Sequence, residues 1–114
     1  MKTYHYETVP AETTEGLPGV STRWAIGKNV GAPNFVLRVI EVAPGATTPY
    51  HHHPWEHEAF ILQGQATLRD AQGKETPAGP GTCVYVAPDE MHCFMNEGEE
   101  LLRFICVIPY PPEE

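Results

Sequence analysis

Four histidines, His51, His53, His57 and His92, fall at spacings that let their side chains converge on one metal ion, and Asn96 follows the last of them. The first three belong to the run His51-His52-His53-Pro54-Trp55-Glu56-His57-Glu58. The fourth lies in Pro88-Asp89-Glu90-Met91-His92-Cys93-Phe94-Met95-Asn96. Neutral imidazole is the commonest side-chain metal ligand. His51 and His53 are two apart, so on a strand both point to one face, and His52 between them points to the other. Pro54-Trp55-Glu56 permits a tight turn, after which His57 opens a return strand facing the pair. His92 starts a further strand after a proline-bearing turn. Neighbouring strands lie about 4.8 Å apart, which lets four ring nitrogens reach one ion at about 2.0–2.2 Å. A lone histidine is more often an ordinary surface or core residue, but four at strand ends beside turn residues are poorly explained by chance. His5 has no such context and is read as surface.

With four neutral ligands the ion would keep its full charge and strongly polarise water, peroxide or an anionic substrate. Imidazole suits iron, copper, nickel, zinc and manganese alike, so the ligand set does not fix the metal. A six-coordinate ion would leave two positions open. That suits oxygen or peroxide chemistry better than a closed structural site, which would be four-coordinate.

The elements that must hold these residues are short and extended. Twelve prolines and ten glycines punctuate the chain and break every candidate helix. Between them, residues 34–42, 58–62, 65–69, 82–87 and 101–108 read as strands, rich in β-branched and aromatic residues. Asp70 to Lys74 reads as a turn. No sustained helical period occurs, so the expectation is an all-β, antiparallel sandwich or barrel. Residues 1–20 read as a polar arm, and the tail from Pro109 cannot join an interior strand. The last strand is apolar on both faces: Leu102, Phe104, Cys106 and Ile108 on one, Leu101, Ile105 and Val107 on the other. A half-exposed sheet should alternate, so the second face is covered either by the arm or by a second subunit, and a homodimer is the favoured expectation.

At 114 residues the chain is read as one domain, residues 1–114. A net charge of −8 argues against nucleic acid or an anionic membrane as partner. No stretch approaches the roughly 20 apolar residues of a membrane span, and the first residues lack the apolar core of a signal peptide. A cytoplasmic protein with a small-molecule substrate is expected. Cys83, Cys93 and Cys106 are odd in number and lack C-x-x-C spacing, so they read as buried small apolar residues rather than a disulfide framework or zinc knot.

Gly45-x5-His51-x-His53-x3-His57-x6-Gly64 resembles the first motif of the cupin superfamily, and Gly81 through Pro88, His92 and Asn96 resembles the second. The motif segments are thus residues 45–64 and 81–96. Two departures stand out: the second motif's proline is displaced by one position, to Pro88, and His57 occupies the place of the first motif's glutamate. Glu58 is the rival for that slot, but counting from it leaves only five residues before Gly64, and strand alternation admits only one of the two inward. The resemblance implies a double-stranded β-helix, or jelly-roll barrel, and is nearest to small single-domain bacterial cupins with four histidines. Those imply Mn(II) as the metal, with Fe(II) next and Cu(II), Ni(II) or Zn(II) as alternatives. The resemblance also places the face of Phe104, Cys106 and Ile108 at the cavity. Phe60 and Phe94 would add walls and Arg38 a lone cation, and such an apolar cavity favours a small, uncharged, aromatic substrate over a sugar.

The fold hosts many functions, so two readings are carried. One is a metal-dependent oxidoreductase, dioxygenase-like or peroxide-using, acting on a small organic molecule. The other is a non-catalytic cupin that grips a small molecule or anion. Decarboxylation fits less well because the usual glutamate position is His57. Sugar-phosphate isomerisation fits less well because seven Lys and Arg form no phosphate-binding cluster.

Overall fold

Apolar residues recur at every second position of Phe35–Val42 except where Arg38 interrupts them, and this segment forms a strand with Val36, Ile40 and Val42 buried. The computed structural model describes residues 1–111, and the last three residues of the expected tail, 112–114, lie outside the described residues. In chain order the strands are β1 (Glu12–Thr13), β2 (Val20–Ile26), β3 (Phe35–Val42), β4 (His57–Gln63), β5 (Ala66–Arg69), β6 (Glu75–Ala78), β7 (Cys83–Val86), β8 (Cys93–Met95) and β9 (Leu102–Pro109). Every named pairing is antiparallel. One sheet runs β1-β2-β3-β9-β4-β7 and the other β6-β5-β8. The fold is an antiparallel jelly-roll barrel, and among the described residues the helical pieces are single 3-10 turns at Tyr6–Thr8 and Lys28–Val30.

The five strands expected from sequence all occur, each end within one residue of its expected place. β2 was not expected. Its inward residues are Val20, Thr22 and Trp24, opposite Val42, Ile40 and Arg38, and the polar Thr22 at the middle of that face masks the apolar alternation. The N-terminal arm is also less irregular than its composition implies, because Glu12–Thr13 adds an edge strand to β2. Pro109 ends β9 opposite Phe35, where its missing N–H interrupts no further pairing.

The core lies between the two sheets. Phe94 of β8 stacks on Phe104 of β9 with ring centroids 4.3 Å apart, and Ile61, Leu102 and Val42 are almost wholly buried around them. Gly64 turns the chain from β4 into β5 at φ +83°. A Cβ there would collide with the Leu101 carbonyl and sit 2.9 Å from Leu102 Cα, so only glycine fits. Asn96 ties the loops together. Its Nδ2 donates to the Val42 and Glu100 carbonyls at 2.8 Å each, and its Oδ1 accepts from the Gly98 N–H. The second motif's asparagine is therefore a bracket between β3 and β8, not a wall of the cavity.

On the outer face of the large sheet, Arg103 pairs with Glu41 directly across β3 and β9 at 2.7 Å. Tyr6 of the arm lies against Arg103 and Arg23. The arm thus covers one end of this face. Ile105 and Val107 are half-buried, while Phe35, Phe60 and Leu62 remain exposed. No helix among the described residues is long and apolar enough to cross a membrane.

Candidate metal centre

Backbone pairing builds the histidine cluster. His51 and His92 form an isolated antiparallel bridge, each donating its N–H to the other's carbonyl, at 3.2 and 2.9 Å. Their rings come to 5.1 Å, centroid to centroid. His53 follows two residues after His51 on the same face, 5.1 Å from the His92 ring. His57, the first residue of β4, reaches the cluster from the adjoining strand, 4.7 Å from His92 and 5.2 Å from His53. The nitrogens of His51, His53 and His92 lie within 4.8 Å of one another, a spacing that can hold a divalent ion. His57 falls outside that three-way grouping but shares the cavity.

The rings are held by different partners. His53 Nδ1 bonds the Trp55 carbonyl at 2.9 Å and stacks flat on the Trp55 indole. His92 Nδ1 bonds the Glu90 carbonyl at 2.7 Å. A carbonyl only accepts, so both rings carry their proton on Nδ1. His57 Nδ1 meets the sulfur of Cys106 at 3.2 Å. The Nε2 atoms of His57 and His92 are buried with no hydrogen-bond partner. Buried polar atoms are rarely left so, and a cation among these nitrogens would satisfy them, which is the fit expected of a metal site.

The electrostatics agree. Burial, reinforced by His92, His53 and Arg38, lowers the pKa of His57 from 6.5 to about 3. The same causes, with burial again first, lower His51 to about 4. Burial lowers His92 as well, partly opposed by its bond to the Glu90 carbonyl. Near neutral pH these rings are uncharged and offer lone pairs rather than mutual repulsion. Glu58 is exposed on the opposite face of β4 while His57 is buried, as strand alternation requires.

The histidines open into a cavity of about 290 Å³ whose walls include Trp24, Trp55, Phe94, Phe104 and Ile108. Among the described residues no carboxylate lines it, and Arg38 is its only Lys or Arg side chain. A larger hollow of about 630 Å³ borders it, sharing Trp24 and Pro111, but contains none of the histidines. The chemistry-bearing groups therefore sit in the smaller space.

Most of the expected side chains meet here. Arg38, Phe94, Phe104 and Ile108 line the cavity with the four histidines, and Cys106 lies fully buried behind His57. Phe60 does not belong. It sits on the outer face of β4, 38% exposed, one residue out of phase with the inward Ala59 and Ile61. Period-two alternation from His57 already excludes it. Cys83 is likewise exposed rather than buried. His52 is exposed as expected, and His5 is exposed but caps the first 3-10 turn through its Nδ1. The two tryptophans went unassigned in the sequence. Trp55, between two histidines, and Trp24, in step with Val20 and Thr22, carried the available signals.

Residues 38–108 match the Cupin domain family. The polyketide cyclase RemF of Streptomyces resistomycificus is 36% identical and superposes with a TM-score of 0.90, covering 98% of this chain and 82% of its own. A gentisate 1,2-dioxygenase from a Haloferax species is 27% identical over 100 residues, which are 82% of this chain and 28% of that protein. An oxalate-binding protein of Thermotoga maritima is 31% identical over 70 residues, 60% of this chain and 57% of that protein. The chain thus spans less than two thirds of the length of either of these two curated relatives. The family match covers both histidine segments, and the barrel, the motif spacing and the likeness to RemF over 98% of this chain agree with it: this chain belongs to the cupin family.

Proposed function

We propose that this chain is a metal-dependent cupin enzyme that binds one divalent ion through His51, His53, His57 and His92 and acts on a small, oxygenated, aromatic-type molecule. One observation carries the reading: neutral imidazoles converge, His57 and His92 with bare, buried Nε2 atoms, at a cavity with aromatic walls that no carboxylate lines among the described residues. When bound, a divalent ion would supply a Lewis acid and, for Mn(II) or Fe(II), a redox centre. Mn(II) leads among the candidate metals through the resemblance to four-histidine cupins.

The protein's residues account for substrate choice. Trp24, Trp55, Phe94, Phe104 and Ile108 offer apolar and aromatic faces. Arg38 supplies the cavity's cation, and its buried Nε has no partner. That donor suits a phenolate, enolate or carboxylate oxygen on the substrate.

Two chemistries fit this site. The first is oxidation of the substrate by oxygen or peroxide, an oxidoreductase of dioxygenase type, supported by the redox-capable ligand set and the gentisate dioxygenase relative. The second is redox-neutral ring closure, supported by the likeness to a polyketide cyclase over 98% of this chain. Oxygen uptake with hydroxylated aromatic acids and with poly-β-carbonyl compounds separates them. Uptake that stops in His57→Ala and His92→Ala supports the first reading, and product formation without uptake supports the second. Substrate conversion at full rate in both variants refutes the metal-dependent proposal. Tight metal-dependent binding without turnover would leave the binding-protein reading, which the oxalate-binding relative supports. The exposed Phe35, Phe60 and Leu62 on the outer sheet face support a homodimer formed through that face.

A further inference from the structure

The sulfur of Cys106 is fully buried and touches two groups that bear on the histidine cluster. Arg38 Nη2 donates to it at 3.0 Å, and His57 Nδ1 lies 3.2 Å away. We propose that Cys106, pinned by Arg38, is the positioning residue for His57: its sulfur accepts the Nδ1–H and so turns a bare Nε2 into the cavity. This inference rests on the reading of the histidines as metal ligands.

Strand register creates the arrangement. Cys106 of β9 stands directly between Arg38 of β3 and Ala59 of β4, and His57 is the next inward residue of β4. Guanidinium can only donate, so Arg38 holds the sulfur as an acceptor. Toward His57 a thiol can act either way, but S–H is a weak donor and an imidazole N–H is a strong one. The neighbouring rings point to the same outcome. His53 and His92 have their Nδ1 protons fixed by carbonyls, which commits their Nε2 atoms to accepting. The opposite tautomer of His57 would put a proton on the buried Nε2, which makes no hydrogen bond in the structure, and would remove the lone pair that a metal needs. Among the described residues no backbone carbonyl serves His57 as Trp55 and Glu90 serve the other two, and Cys106 fills that role. The partner is also uncharged as a thiol, which leaves the site's ligand set formally neutral.

Outer partners of this kind orient metal-binding imidazoles, and their loss typically weakens metal affinity about 10–100-fold. The first test is ¹⁵N NMR of the histidine rings in the metal-free full chain. His57 should carry its proton on Nδ1, as should His53 and His92. In Cys106→Ala the His57 tautomer should become mixed, and calorimetric titration with Zn(II) or Mn(II) should weaken about 10–100-fold. Cys106→Ser, whose hydroxyl also accepts, should keep the tautomer and most of the affinity. Wild-type His57 protonated on Nε2 would overturn the inference, as would Cys106→Ala with both tautomer and affinity unchanged. The wild-type spectrum decides the matter even if Cys106→Ala does not fold. Failure of the wild-type chain to bind metal would count against the metal-centre reading itself, while the tautomer is read without metal.

Discussion

Acid should destabilise the metal-free protein through His57 in a way that one substitution removes. The residue is 5% exposed, and burial first, then His92, His53 and Arg38, lowers its pKa from 6.5 to about 3. Between those values the unfolded chain binds a proton at this position and the folded chain does not, so stability falls as pH drops below about 6.5. One pKa unit corresponds to about 1.4 kcal/mol. From pH 6.5 to 4 the single residue therefore removes roughly 3 kcal/mol, an order-of-magnitude figure. His51 shifts in the same direction but is exposed, and solvent screening leaves it a smaller share. The assay is urea unfolding of metal-free wild type and His57→Gln at pH 7, 6, 5 and 4. Carboxylates common to both proteins cancel in the difference. The stability of wild type relative to His57→Gln should fall by roughly 3 kcal/mol from pH 7 to 4. Parallel curves would show that burial does not hold His57 neutral, and the electrostatic account of the cluster would fail.

Further outcomes follow from the packing. Gly64→Ala should lower stability by about 1–3 kcal/mol through its positive φ alone, and by more through the clash with Leu101, measurable by chemical denaturation. Phe104→Ala, which empties a fully buried site stacked on Phe94, should cost about 3–5 kcal/mol in the same assay. Phe60→Glu should leave metal stoichiometry unchanged but reduce self-association in sedimentation at micromolar concentration; unchanged association would refute the outer-face dimer.

Much of this was legible because strand chemistry is local. Phe35–Val42 and Leu102–Pro109 are nearly continuous runs of β-branched and other apolar residues, and Gly45, Gly64 and Gly81 mark turns that take positive φ. The position of His57 was legible for the same reason, since one strand cannot turn both it and Glu58 inward. β2 is hidden because two of its three inward residues are Thr22 and an isolated Trp24, whose burial depends on strands distant in sequence. Phe60 carries the aromatic character of a cavity wall but stands out of phase with His57, and strand parity turns it outward. The contact between Cys106 and His57 joins residues 49 apart, and nothing local announces it. Asn96 was visible as part of a motif, but only its three hydrogen bonds show that it braces loops.

The most direct test of the metal centre is titration of the metal-free chain with Mn(II), followed by pulsed electron paramagnetic resonance. The account predicts one ion per chain, with ¹⁴N couplings from four histidine rings and one coupling lost in each of His51→Ala, His53→Ala, His57→Ala and His92→Ala that still binds. Absence of stoichiometric binding, or a bound ion with no histidine coupling, would contradict it.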